Sequence, residues 1–273
     1  MTLEDHAGDI VNKARDRAGL SLAAAARAAQ LAEDELAAFE EDGRWPAHGD
    51  LPRLAHAIRL DAHKLAAIVN GWTPASPPLN RWNGLALLPS ARRGFTVNAF
   101  LAWDAATREA VLFDTGFDAE AITRELIRRE LRLRVIAITH SHADHVAALA
   151  ALHRQHPEAR ILAAPGVHAD AHPLPPGKLL ELGGLRIHAR PTPGHAGDGV
   201  TYVVTGWPGA APAVALVGDA LFAGSVGRAE NDWPGALAAV QEQILSLPDE
   251  TLLCPGHGPL TTVGEERAHN PFF

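Results

Sequence analysis

The chain has 273 residues, of which 47% are apolar, a formal net charge of −8 and one cysteine, Cys254. That length and apolar content support one large domain plus a small one, while the negative balance argues against a general nucleic-acid binder. A single cysteine excludes an internal disulfide framework or a thiolate cluster, so a metal site here is built from carboxylates and the 15 histidines.

The start, "MTLEDHAGDIV", carries acids where a secretory signal needs a basic lead and an apolar block. No run of 18 apolar residues follows, so a cytoplasmic protein without a membrane span is expected. Residues 1–70 read as short helices. "DIVNKARDRAGL" has a helical period and ends at Gly19, Ser21 caps "SLAAAARAAQL", and "AEDELAAFEEDG" stops at Gly43. Asp50 and Asp61 offer N-caps to "GDLPRLAHAIRL" and "DAHKLAAIVNG". Residues 71–84, rich in proline and turn formers, read as a linker.

From residue 85 to 273 the pattern changes. "LALLPS", "GFTVNAFLAWD" and "EAVLFDTG" read as strands, with a hairpin turn at "DAATRE". "AEAITRELIRREL" reads as a helix, "RVIAITH" as a buried strand and "HVAALAALHRQH" as one helix. "RILAAPG", "LRIHARPTPGH", "VTYVVTG" and "AVALVGDAL" supply further strands, "WPGALAAVQEQILSL" a long helix and "TLLCPGHG" a last strand. This order predicts an α/β domain of two stacked sheets with helices outside, preceded by a small all-α domain.

His140, His142, Asp144 and His145 fall within six residues directly behind the strand that ends at Thr139. Strand C-terminal ends are where α/β sheets gather their chemistry. The alternation His140-x-His142 aims two imidazoles to one side, while Asp144 and His145 turn elsewhere, so one cluster can serve two adjacent metals. Imidazole and carboxylate suit zinc, iron and manganese. His195 in "TPGH", Asp219 in "ALVGD" and His257 in "CPGHG" each follow a strand-like segment and are candidates to close the site. His6, His48, His153 and His188, each standing alone, read as surface or satisfied core residues, and Cys254 as a buried strand residue.

"THSHADH", with the later histidine and aspartate motifs, resembles the signature of the metallo-beta-lactamase superfamily, over about residues 85–273. The resemblance implies a four-layer αββα sandwich with two divalent ions at one edge, zinc foremost, with iron or manganese as alternatives. It also implies His140, His142 and His195 as ligands to the first ion, Asp144, His145 and His257 to the second, and Asp219 as the bridging carboxylate. Asp114, in "FDTG", resembles the aspartate that orients a metal-bound histidine. The bridging aspartate argues against antibiotic hydrolysis, because the classical beta-lactamases of the superfamily lack it.

"GDALFAGSVGR" and "PGHGPLTTVGEERAHNPFF" resemble the glyoxalase II branch, which hydrolyses hydroxyacylglutathione thioesters. Full-length members carry a helical C-terminal domain that supplies much of the glutathione-binding surface. Here 16 residues follow His257, which matches the shorter glyoxalase-II-like proteins, so the resemblance carries the chemistry and not the thiol carrier. The implied reaction is hydroxide attack on a thioester or related acyl ester, with Asp144 both ligand and orienter of the nucleophile. Arg228 is a candidate for an anionic substrate group, and its alternative is an ion pair beside Glu230. A same-fold alternative is a sulfur dioxygenase with one iron.

"KARDRAGLSLAAAARAAQLAEDELAAFEEDGRW" resembles a phage-repressor-type helix-turn-helix. Its third helix would present Glu33, Asp34, Glu35, Glu40, Glu41 and Asp42 to phosphates, and residues 1–72 hold 12 acids against 8 bases. Phosphate contact requires positive charge. DNA binding, as in a metabolite-sensing regulator, is therefore the lesser reading. Dimerisation in a homo-oligomer, covering of the substrate pocket or partner binding is the greater one.

Overall fold

The computed structural model describes residues 2–273 apart from Ser76, Pro176 and Glu230. The chain opens with five short helices: α1 (Ala7–Arg17), α2 (Leu22–Ala29), α3 (Glu33–Asp42), α4 (Leu51–Ala57) and α5 (Ala62–Val69). Four of them start where a side chain accepts an otherwise unpaired first-turn N–H. His6 takes that of Asp9, Ser21 of Ala24, Asp50 of Arg53, and Asp61 of Lys64. In α3 the Glu35 carboxylate reaches back to the Ala32 N–H instead. Gly43 ends α3 in the left-handed region at φ 73°, where a Cβ is costly. The apolar faces, including Ile10, Leu36, Phe39, Leu54 and Leu65, close on a core that also takes in Val226 and Phe272. The helices therefore pack on the later chain through apolar burial.

Two sheets follow the 3₁₀ turn Leu79–Arg81. The first is ordered β1 (Leu85–Arg92), β2 (Phe95–Trp103), β3 (Glu109–Phe113), β4 (Arg132–Ala137), β5 (Arg160–Leu162). Its helices are α6 (Ala119–Arg128), α7 (Ala143–Val146) and α8 (Leu149–Gln155). The second sheet contains β6 (Leu179–Leu182), β7 (Leu185–Pro191), β8 (Val200–Thr205), β9 (Val214–Gly218), β12 (Leu252–Pro255) and β13 (Thr261–Thr262), in the order β13-β12-β9-β8-β7-β6. A hairpin of β10 (Leu221–Phe222) and β11 (Ser225–Val226) stands apart, and α9 (Trp233–Gln243) and α10 (Val263–His269) complete the chain.

Strand alternation builds the layers. Successive side chains point to opposite faces, so a strand buried on both sides reads as a continuous apolar run. Val111 and Phe113 of β3, Val135 and Ala137 of β4, Leu216 of β9 and Leu252 of β12 meet between the sheets. Their neighbours Ala110, Leu112 and Ile136 face outward with Leu126 of α6 and Leu152 of α8, and Ala215, Val217 and Leu253 face Val240 of α9. The result is the mixed α/β sandwich with helices on both outer faces, preceded by N-terminal helices.

Several elements differ from the expectation. "HVAALAALHRQH" is not one helix: α7 and α8 are separated because the Ala148 N–H leaves the helical ladder for the Gly116 carbonyl at 3.0 Å. The long helix after Trp233 ends at Gln243, with Ile244 as its cap. Strand β6 and helix α10, the latter capped by Thr262 accepting from the Glu265 N–H, were not anticipated.

Candidate metal centre

Four strand ends deliver the polar side chains to one edge of the sandwich. The segment after β4 carries His140 and His142, and α7 carries Asp144 and His145. His195 lies between β7 and β8, Asp219 directly follows β9, and His257 follows β12. Three overlapping donor groups form: His140, His142 and His195; His140, His145 and Asp219; Asp144, His145 and His257. In each group the donor atoms lie within 4.8 Å of one another.

The distances place Asp219 between the two halves. Its Oδ2 is 3.5 Å from His195 Nε2, 3.9 Å from His140 Nε2 and 3.3 Å from His257 Nε2. Its Oδ1 is 3.4 Å from His145 Nε2. His195 Nε2 is 3.0 Å from His142 Nδ1, and His257 Nε2 is 3.2 Å from Asp144 Oδ2.

Outer partners aim the rings inward. His257 Nδ1 donates to the Thr96 carbonyl at 2.6 Å, and His195 Nδ1 to the Arg228 carbonyl at 3.2 Å. His145 Nδ1 donates to Asp114 Oδ2 at 2.8 Å. The Thr139 hydroxyl spends its one proton on Asp114 Oδ2 at 2.8 Å, so at 3.1 Å it can only accept from His140 Nδ1. Four imidazoles thereby turn Nε2 toward the centre, the arrangement that carboxylate and carbonyl partners impose on metal-binding histidines. Asp114 does this from a left-handed backbone, φ 54°, which aspartate tolerates.

Glycines let the backbone come close. A Cβ on Gly256 would stand 2.3 Å from Asp219 Oδ1 and 2.5 Å from His145 Cε1. One on Gly227 would meet the Asp219 carbonyl at 1.9 Å.

The charge balance shows why a cation fits. Burial, aided by neighbouring His145, lowers His140 to about 4, and burial likewise lowers His195. Burial also opposes charge on His145 and His257, yet Asp114 and Asp219 raise the first to about 10, and Asp144 and Asp219 raise the second to about 11. The hydrogen bond from His257 holds Asp144 at about 2. Asp219, against the cost of its burial, is held well below the carboxylate range by His145 and His257. The cluster thus draws positive charge inward. Meanwhile His140 Nε2, His145 Nε2 and Asp219 Oδ1 are buried with no hydrogen-bond partner. Buried polar atoms rarely stay unpaired, and three that converge on one space fit divalent ions bound by nitrogen and oxygen.

Arg228 turns away from this cluster. Its guanidinium meets Asn12 Oδ1 at 2.6 Å and Asp16 Oδ2 at 3.2 Å, both on α1, while the suggested partner Glu230 lies outside the described residues. Cys254 is buried in β12 between the sheets. His6 caps α1, and His48 lies 3.2 Å from Glu35. Residues not singled out from sequence also approach the site. Thr139 is one, and the N-terminal segment supplies others. Lys13, nearly buried, donates to Asp5 Oδ2 at 2.5 Å and to the Val226 carbonyl at 3.0 Å, and Ser225 Oγ donates to the same Asp5 oxygen at 2.5 Å.

Residues 92–257 match the Metallo-beta-lactamase superfamily. The chain is 29% identical over 205 residues to hydroxyacylglutathione hydrolase GloC of Haemophilus influenzae, covering 66% of this chain and 93% of that protein. It is 34% identical over 166 residues to a hydroxyacylglutathione hydrolase of Cereibacter sphaeroides, covering 58% of this chain and 61% of that one. Among solved structures it resembles the BLEG-1 B3 metallo-beta-lactamase, with a TM-score of 0.59 and 30% identity over 69% of this chain and 98% of the other. It also resembles ETHE1 from Myxococcus xanthus, with a TM-score of 0.56 and 28% identity over 68% and 83%. No helix among the described residues is long and apolar enough to cross a membrane. The matched span covers more than half of the chain and includes Asp114 and all seven clustered donors, so the chain belongs to the metallo-beta-lactamase superfamily and is a metal-dependent hydrolase.

Proposed function

We propose that the chain hydrolyses a thioester or related acyl ester with two divalent ions, in the manner of the hydroxyacylglutathione hydrolases it resembles. The observation that carries this reading is the convergence of three unpartnered buried donor atoms, His140 Nε2, His145 Nε2 and Asp219 Oδ1, inside a set of seven donors. His140, His142 and His195 would hold one ion, Asp144, His145 and His257 the other, and Asp219 would bridge them. The nitrogen- and carboxylate-rich set makes zinc the first candidate. When bound, such a pair lowers the pKa of a shared water and polarises the acyl carbonyl.

The chain's own residues supply the rest. Asp114 and Thr139 keep His145 and His140 in one tautomer and pose. Asp144, the most exposed of the three carboxylates at 28%, orients the attacking water at the mouth. The N-terminal segment that leads into α1 acts as a wall of the substrate pocket. Leu3 and Glu4 line a cavity of about 290 Å³ together with Phe95, Asn98 and His257. Helix α3 exposes Glu33, Asp34, Glu41 and Asp42, a face unsuited to phosphates. Salt-dependent binding to its own promoter DNA would reverse that assignment in favour of a metabolite-sensing regulator.

Turnover of lactoylglutathione and of simple acyl thioesters tests the reading. Activity should fall by orders of magnitude on chelation and in His142→Ala, and no turnover of any ester or thioester would sink it. The alternative of a one-iron sulfur dioxygenase predicts a single iron per chain and oxygen consumption with glutathione persulfide. The close Asp144–His257 pair, 3.2 Å apart, favours two ions.

A further inference from the structure

A second group of donors lies away from the seven. Among the described residues, His153 on α8 meets His168 and Asp170 of the segment after β5, with donor atoms within 4.8 Å of one another. Asp170 Oδ2 is 3.2 Å from His153 Nε2 and 3.9 Å from His168 Nδ1. A tetrahedral zinc ion with bonds of about 2.0–2.1 Å spaces its ligand atoms by about 3.3 Å. The same spacings recur in the main cluster, at 3.2 Å for His257–Asp144 and 3.9 Å for His140–Asp219. The ring geometry recurs as well. His153 and His168 stand 4.9 Å apart at 73°, and His140 and His142 stand 4.6 Å apart at 75°.

A surface histidine–aspartate pair explains one imidazole. A second imidazole stands edge-on to the first; its Nδ1 accepts the Asp170 N–H at 3.2 Å, a hydrogen bond that an arriving cation would replace, and the three side chains keep donor atoms within 4.8 Å of one another. The Nδ1 of His153 is buried without a hydrogen-bond partner, so the ring is held only through Nε2, which pairs with Asp170 Oδ2 at 3.2 Å. The side chains of His153 and His168 are 17% and 23% exposed, and that of Asp170 is 68% exposed, so the group is half sunk in the protein and open on one side.

We propose that His153, His168 and Asp170 bind a further divalent cation, zinc by their donor chemistry, with solvent completing the shell. The ion staples the segment after β5 to α8. That segment contributes Ala163, Ala164, Pro165 and Leu174 to an apolar cavity of about 270 Å³, whose other side includes Pro193 and Gly197 of the loop bearing His195. The staple therefore stiffens a wall that adjoins the loop of a main-cluster histidine. This assignment does not depend on which acyl compound the enzyme hydrolyses.

The test strips the full chain with chelator, titrates it with Zn²⁺ alone, desalts it and counts zinc by elemental analysis. Folded His153→Gln and His168→Gln, matched to wild type by circular dichroism, should each carry one zinc per chain fewer. Equal zinc in wild type and both variants overturns the proposal. A second measurement needs no variant. Zinc should abolish modification of His153 and His168 by diethyl pyrocarbonate in peptide mass spectra, while exposed His172 stays reactive. Continued modification of both at saturating zinc overturns it equally.

Discussion

Asp114 Oδ2 accepts from His145 Nδ1 and from the Thr139 hydroxyl, each at 2.8 Å, so one carboxylate oxygen governs the pose of two donor imidazoles. Its Oδ1 takes the Thr139 backbone N–H at 2.8 Å, which leaves neither oxygen to spare. Asp114→Asn must turn an amide N–H toward one of these donors and leave a proton facing a proton. Loss of such an outer partner costs about 10–100-fold in metal affinity or activity. Metal titration and kcat/KM for an acyl thioester measure it, and values within about twofold of wild type would remove Asp114 from this role.

Gly256 tests how closely the backbone must pass the donors. Its Cβ would meet Asp219 Oδ1 and His145 Cε1 well inside contact distance, and both belong to buried groups with little room to move. Gly256→Ala should therefore displace the carboxylate or the ring. Wild type should gain thermal stability on adding Zn²⁺, through binding to the native state, and the variant should lose most of that gain. An undiminished zinc-induced rise in melting temperature would show that the site has slack.

The two stacked sheets were legible because the continuous apolar runs of β2, β3, β4, β9 and β12 need no distant information. The donor cluster was legible for a local reason too: four ligand-type residues occupy six positions behind a buried strand. His195, Asp219 and His257 each follow a strand-like segment, and the structure brings them to the same edge. The break between α7 and α8 was not legible, because it depends on the Gly116 carbonyl, 32 residues before Ala148. The partnership of Lys13 with Val226 spans 213 residues and leaves no local pattern. Nor does the turning of Arg228 toward α1, where Asn12 and Asp16 receive it.

Lys13 and Asp5 form a buried pair between the first helix and the β10–β11 hairpin. Removing one member of a buried pair leaves the other charge uncompensated and typically costs about 3–5 kcal/mol. Lys13→Met and Asp5→Asn should each destabilise by amounts of that order. The double variant should lose less than the sum, because it strands no charge. Urea unfolding of the four proteins checks this, and strictly additive losses would mean that the two side chains act independently. The hairpin leads to Arg228, whose carbonyl orients His195, so KM and kcat of the single variants should also change.

Glu266 gives the fold a pH dependence of defined sign. It is fully buried in α10, where it accepts from the Gly224 N–H at 3.0 Å, Asn270 Nδ2 at 2.9 Å and the Thr261 hydroxyl at 2.8 Å. Burial outweighs these donors and raises it from 4.5 to about 7. Below pH 4.5 the carboxyl is protonated in both folded and unfolded chains, and its contribution to stability is complete. Between 4.5 and about 7 the unfolded chain releases the proton while the folded one keeps it. Stability therefore falls as pH rises through that window, by about 3 kcal/mol in total, and levels off above it. Glu266→Gln removes the ionisation but keeps an acceptor for part of the network. The difference in unfolding free energy between wild type and variant, taken at pH 5, 6 and 7.5, should shift in favour of the variant as pH rises. A difference that stays constant across the window would mean that Glu266 is already ionised in the folded chain.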